Sequence, residues 1–321
     1  MMKKVSVFLA VALAVVAVLF LAGVFPRGKK VRVLYWNIQA GMWADQGADY
    51  ANFIRFVKEK DPDICVWCEA KSLYVTDKDE RLAESDRYLP DGWPELARRY
   101  GHKYTCLAMH RDNYPQVITS RRPITAMAHI EGARPDSIVA HGAGWVSVGF
   151  GKDTLNVVCM HAYPQKYAYG IPVEDRERSA EAHEGDRYRA MEAQYVCEHT
   201  LLSHSRGDDY WVLLGDFNSK SRLDNFHYQL PEDWPGFQCH DYINTRTPYI
   251  DVIARCYPGE FCTSNRGTGR IDYAYCSPAL FARLKEARIV NEEWTLPVES
   301  ELGPEFFRPS DHRPIFLEFV L

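Results

Sequence analysis

Several things are scarce or missing in this chain. Nine cysteines in 321 residues are too few for a disulfide scaffold. After residue 30 there is no internal repeat, low-complexity tract or linker. A surplus of basic residues is lacking too. The net charge is −5, and Lys3, Lys4 and Arg27 are the only charged residues among the first 28, so the remainder carries −8. A body this acidic is not held on nucleic acid by a general basic surface, and any polyanion it handles must be gripped locally, through a metal for example. No serine nucleophile elbow is present, and Cys65-x-x-Cys68 has no second C-x-x-C to complete a zinc knuckle.

What is present is an ordinary globular composition, 46% apolar and 25% charged, which excludes wholesale disorder and fibrous structure and leaves ample chain for a core. Lys3 and Lys4 precede an apolar run from Val5 to Phe25, diluted only by Ser6 and Gly23. At about 1.5 Å per residue that run spans roughly the thickness of a bilayer core. It reads as a signal peptide or an uncleaved membrane anchor occupying residues 1–28. Residues 29–321 are then a single exported domain, tethered to a membrane through residues 5–25 if the segment stays. No A-x-A site closes the run, and Arg27, Lys29, Lys30 and Arg32 follow it, so the positive-inside balance is nearly even.

In the body, Val31–Ile38 and Ile64–Glu69 read as strands, with a helix over Asp49–Lys60 between them, and residues 71–92 as a polar loop. Trp93–Tyr100 reads as a short helix. Tyr104–Met109, Gln116–Thr119, Ile124–Ile130, Ile138–Phe150 and Thr154–Met160 read as strands. A long helix over Asp186–Leu202, a strand at Trp211–Gly215, an irregular stretch over 219–262 and late strands at Arg270–Tyr275 and Pro314–Val320 complete the pattern. Many strands without strict β-α alternation predict packed sheets with helices outside, not a doubly wound parallel sheet.

The chemistry sits at the strand ends. Apolar runs lead to Asn37, to Glu69, to His161, to Asp216-Phe217-Asn218 and to Asp272, and Asp311-His312 stands just before the last strand. A single Asn or Asp in such a place is usually a turn residue. Six such places together form an inventory of carboxylates, amides and imidazoles. Carboxylates with few imidazole ligands suit a hard divalent ion such as Mg²⁺, and Asn and charged His suit negative charge developing on a phosphate. Cys65 and Cys68, three apart in a strand, face opposite sides and read as two core residues. Cys256 and Cys262 are a candidate bridge, although the odd total leaves one thiol over. Tyr163, Tyr167 and Tyr169 read either as tucked rings of a surface loop or as a rim for a base, sugar or headgroup.

At these residues the chain resembles the endonuclease/exonuclease/phosphatase superfamily, which includes pancreatic-type deoxyribonucleases, abasic-site endonucleases, neutral sphingomyelinases, inositol-polyphosphate 5-phosphatases and tyrosyl-DNA phosphodiesterases. The motifs are Trp36-Asn37-Ile38, Glu69, Ser120-Arg121-Arg122-Pro123-Ile124, His161, Gly215–Asn218, Arg270–Tyr273 and Ser310–Pro314, in order across residues 31–321. The resemblance implies an α+β, four-layer α/β/β/α sandwich of two mixed sheets. It also implies hydrolysis of a phosphoester substrate, nucleic acid, phospholipid or phosphorylated metabolite, with Mg²⁺ or Mn²⁺. By the same resemblance Glu69 is the main metal ligand, aided by Asn37 and Asp311. His312 is the general base, oriented by Asp272. Asp216 orients the water or ligates a metal, Asn218 donates to the phosphoryl oxygens, and His161 contacts the phosphate or acts as an acid. Abasic-site endonucleases typically carry Tyr where His161 stands, which favours the other branches. No protein partner is evident, and a non-catalytic binding module on the same fold is the reading of another class.

Overall fold

The computed structural model describes residues 28–70, 92–108, 114–130, 139–267, 269–301 and 303–321. The apolar run at residues 5–25 and the polar stretch 71–91 lie outside the described residues. Among the described residues no helix is long and apolar enough to cross a membrane.

Two six-stranded mixed sheets form the body. The first holds β1 (Lys30–Asn37), β2 (Ile64–Cys68), β3 (Tyr104–Leu107), β4 (Val117–Ser120), β11 (Leu284–Ile289) and β14 (Ile315–Val320), in the order β11-β14-β1-β2-β4-β3. The second holds β5 (Ile124–Ile130), β6 (Ala143–Phe150), β7 (Asp153–His161), β8 (Tyr210–Asp216), β9 (Ile250–Asp251) and β10 (Asp272–Cys276), in the order β5-β6-β7-β8-β10-β9. A separate hairpin pairs β12 (Val298–Ser300) with β13 (Gly303–Arg308).

Strand alternation builds the layers. On β1, Val31, Val33 and Tyr35 face the second sheet, where they meet Val157, Cys159, Leu214 and Ala274; Leu34 and Trp36 face away. That outer face is covered by α1 (Ala51–Lys60), through Phe53, Phe56 and Val57, and by α2 (Gly92–Arg99), through Trp93, Leu96 and Ala97. The outer face of the second sheet, with Val158, Trp211 and Leu213, is covered by α3 (Glu184–Glu198) and α4 (Gln238–Arg246). The result is a sandwich of two sheets flanked by helices, as the strand pattern predicts. Cys65 packs under α1 and α2 while Cys68 packs between the sheets, so the C-x-x-C pair is split across two cores. All nine cysteines are unbridged, Cys256 and Cys262 among them.

Local differences have local causes. The predicted helix over 186–202 starts earlier, at Glu184, and breaks at His199–Thr200, where the Thr200 hydroxyl donates to the Val196 carbonyl (2.6 Å) and a separate turn, Leu201–His204, follows. The stretch 219–262, read as irregular, contains α4. Its core-facing residues are only Cys239, His240 and Ile243, too few apolar side chains to give a helical signal. Strands β11 to β13 were not anticipated, because Leu-Lys-Glu-Ala-Arg-Ile buries only Ala287 and Ile289 fully and is broken by a bulge.

Candidate active site

Sheet register collects the strand-end residues. β1 and β2 run parallel with Asn37 opposite Cys68, so their C-terminal ends deliver Asn37 and Glu69 side by side. β7 and β8 are also parallel, with His161 opposite Asp216; β8 and β10 are antiparallel, with Asp216 opposite Asp272. A parallel pair brings two carboxyl ends together, and an antiparallel pair sets a strand end beside a strand start. His161, Asp216 and Asp272 therefore form a row along one edge of the second sheet. The turn before β14 is tied to β1: the Trp36 indole donates to the His312 carbonyl (2.9 Å), and the Ser310 hydroxyl donates to the Asn37 carbonyl (2.7 Å). Gly215 has no room for a side chain, since a Cβ there would lie 2.2 Å from the Met160 carbonyl oxygen. Glu69 and Asn218 hold left-handed backbone, φ 53° and 47°, which is uncommon for residues other than glycine and concentrates at functional sites.

These side chains line one cleft of about 270 Å³. His312 Nδ1 is 2.7 Å from Asp272 Oδ2. The Asp272 carboxylate also accepts from the Tyr35 hydroxyl (2.8 Å, at Oδ1) and the Ser264 hydroxyl (2.8 Å, at Oδ2). His312 Nε2 lies 3.8 Å from Asp216 Oδ2 and 3.8 Å from Asp311 Oδ2. Burial alone would lower the His312 pKa, but the charges of Asp272, Asp311 and Asp216 hold it well above the ordinary imidazole value. Burial pushes the Asp216 carboxyl up to about 7; the His312 charge opposes that and the Asp272 charge adds to it. His161 Nε2 is 3.7 Å from the same Asp216 oxygen. Burial first, then the neighbouring His141 and His312, push the His161 pKa well below its usual value, so its ring is neutral. Asn218 donates Nδ2–H to the Ala162 carbonyl (3.0 Å), and its own N–H goes to Asp216 Oδ1 (2.9 Å).

Asn37 directs its amide N–H groups to Glu69 Oε1 (3.1 Å) and Asp216 Oδ2 (3.2 Å), while its oxygen receives the Gln39 N–H (3.2 Å). Glu69 is half-buried, and its pKa is raised by burial and next by the charge of Asp311. A dication between such carboxylates relieves the repulsion, and hard oxygen donors are the set it prefers. Asp216, Asp272 and His312 also lie close enough to hold an ion, with ligand atoms within 4.8 Å of one another. Asp272, however, already accepts three hydrogen bonds and holds His312, so this cluster reads as a proton-handling unit. The metal-type donors are Glu69 and Asp311. All eight strand-end residues singled out in the sequence thus come to one edge of the sandwich. Two wall residues had no sequence signal: Tyr114 and His141, whose rings pack on each other and on His161.

The model of the Endonuclease/Exonuclease/phosphatase family matches residues 34–312. The chain belongs to this family. Its members are phosphoester hydrolases that depend on divalent metals, and the donor set at this cleft agrees with that chemistry. Among solved structures, a 3′-5′ exonuclease from Neisseria meningitidis is similar at 18% identity over 91% of this chain and 100% of its own, TM-score 0.61. An AP endonuclease from Archaeoglobus fulgidus is similar at 16% identity with the same coverage, TM-score 0.60. A mannosyl-6-phosphatase from Bacteroides thetaiotaomicron is similar at 14% identity, also over 91% of this chain and 100% of its own, TM-score 0.57. At such identities the likeness is one of fold. No curated protein matches the sequence.

Proposed function

We propose that this protein is a phosphodiesterase, acting on nucleic acid or a phospholipid outside the cytoplasm, with residues 29–321 as its one catalytic domain. The observation that carries the reading is the His312–Asp272 pair at 2.7 Å, facing Asp216 and the Glu69–Asp311 carboxylates across one cleft. Asp272 fixes the imidazole through Nδ1 and leaves Nε2 toward the cleft, where it takes a proton from the attacking water. Asp216 hydrogen-bonds that water. Asn218 keeps one amide hydrogen for a phosphoryl oxygen after serving Ala162, and His161 contributes an N–H as a neutral imidazole. A Mg²⁺ or Mn²⁺ ion held by Glu69 and Asp311, with Asn37 beside them, would supply Lewis-acid polarisation of a phosphoryl oxygen and offset the negative field around His312. The body's charge of −8 argues against a general grip on duplex, and the apolar segment 5–25 favours a substrate at the envelope.

A phosphomonoester on a small metabolite is the second reading, favoured by the similarity of this fold to a mannosyl-6-phosphatase. One screen separates them. Bis-p-nitrophenyl phosphate, plasmid DNA, sphingomyelin and a sugar 6-phosphate are offered with Mg²⁺ or Mn²⁺. Turnover of a diester supports the first reading, and turnover of the sugar phosphate alone supports the second. Chelation abolishes activity, and either ion restores it. Glu69→Ala loses most activity while its melting curve stays cooperative. Full turnover in excess chelator would overturn the metal assignment.

A further inference from the structure

His141 stands on the cleft wall with Glu69, Asp311 and His312, although no motif marks it. Its ring packs against His161 with centroids 4.7 Å apart, and against Tyr114 at 4.8 Å. The two imidazoles differ in setting. His161 is 3% exposed, and its Nδ1 has no hydrogen-bond partner among the described residues, whereas His141 is half-exposed and open to solvent exchange. Contacts run His312, Asp216, His161, His141 in order across the cleft. An in-line displacement at phosphorus needs a proton acceptor at one end and a proton donor at the other.

The His141 backbone is held from both sides. Glu192 on α3 has no solvent exposure, yet its carboxylate accepts the Ala140 N–H at Oε1 (2.8 Å) and the Tyr163 N–H at Oε2 (2.9 Å). Those groups adjoin His141 and follow His161 by two residues, so one side chain ties both histidine segments together. On the other flank, Gln116 donates to the Gly142 carbonyl (2.8 Å). Burying a carboxylate is costly, and burial pushes Glu192 up to about 7. A structural link between two loops does not need an acid; placing an imidazole to within a fraction of an ångström gives a reason to keep one.

We infer that His141 is the proton donor to the leaving-group oxygen, and that Glu192 is its positioning residue. The inference rests on the phosphoesterase reading. In the step, the oxygen of water forms the new bond to phosphorus while the bond to the leaving oxygen breaks. The water's proton passes to His312 Nε2. The leaving oxygen keeps the bonding pair and takes a proton from His141, giving an alcohol. Solvent then returns a proton to His141 and removes one from His312.

The test is the dependence of the loss on leaving-group acidity. Wild type, His141→Gln and Glu192→Gln are assayed with metal present on a series of phosphodiesters running from p-nitrophenyl to alkyl leaving groups. A nitrophenolate departs with little need of a proton, and an alkoxide cannot. His141→Gln is expected to lose about 10²-fold or more on alkyl esters, and at least tenfold less on nitrophenyl esters. Glu192→Gln shows the same slope with a smaller amplitude; a purely structural role would lower every ester alike. His141→Asn serves if His141→Gln fails to melt cooperatively. An equal loss across the series, or none, overturns the assignment of His141 alone. A wild-type enzyme inert toward every ester would overturn the phosphoesterase reading and this inference with it.

Discussion

His312 meets three acidic side chains, and each relation is different. Asp272 is bonded to it at 2.7 Å and is itself fixed by Tyr35 and Ser264. Asp216 and Asp311 lie 3.8 Å from its other nitrogen, close enough to act by charge without closing it off from the cleft. Removing the acceptor from such a dyad costs about 10²–10⁴-fold in general-base catalysis. His312→Ala and Asp272→Asn are each expected to fall by that order in kcat. The double mutant should fall little further, because the two side chains act as one unit. Steady-state kinetics beside thermal melting decides it: a folded His312→Ala enzyme with near wild-type turnover would end the assignment. Arg270 is the opposite case, a motif residue with no part in proton transfer. It is almost wholly buried and ion-paired with Asp251 (2.8 Å) and Asp224 (2.8 Å), which anchors the entry to β10 and so the position of Asp272.

Among the elements, the β3–β4 edge carries a second buried histidine. His102 has no exposure; its Nδ1 meets the Thr119 hydroxyl at 2.8 Å and its Nε2 meets the Pro62 carbonyl at 2.9 Å. Burial lowers its pKa to about 4. A depressed imidazole binds its proton later in the folded state than in the unfolded chain. Its stabilisation is therefore complete above pH ~6.5 and is lost as pH falls toward 4, by up to about 3 kcal/mol. Glu192 slopes the other way: with its carboxyl raised to about 7, the folded state binds the extra proton, and its contribution falls as pH rises from ~4.5 to 7. The wild-type profile thus partly cancels. Urea titrations at pH 7 and pH 4.5 should show that His102→Gln flattens the acid-side decline; an unchanged slope would mean that the imidazole already carries a proton when folded.

At the scale of the whole molecule, the sandwich and its motif edge were legible in the sequence because the reactive groups close apolar strands. A polar residue ending a run such as Val212-Leu213-Leu214-Gly215 stands out, and sheet register then aligns it with its neighbours. His141 was not legible. It sits in a loop, and its place is set by Glu192 and Gln116, 51 and 25 positions away, through bonds that leave no local pattern. Helix α4 was hidden for a related reason, since aromatic and polar side chains share its buried face. The apolar segment ahead of the sandwich makes a prediction of its own. A reporter active only outside the cytoplasm, fused after residue 321, should give signal, and the N-terminus of the recovered protein separates cleavage from anchoring. Soluble recovery of the full-length chain from the cytosol would contradict export.

The Tyr35–Asp272 hydrogen bond reaches from one sheet to the other through the dry layer between them. Glu69, Asp311 and His312 belong to the first sheet and its turns, and His161, Asp216 and Asp272 belong to the second. Neither half holds a working set. A chain in which only one sheet has formed carries acids and imidazoles but no dyad, so hydrolysis switches on at the docking of the two layers and not gradually before it. For an exported hydrolase this is a built-in safeguard: a polypeptide still threading through a membrane cannot cut what surrounds it.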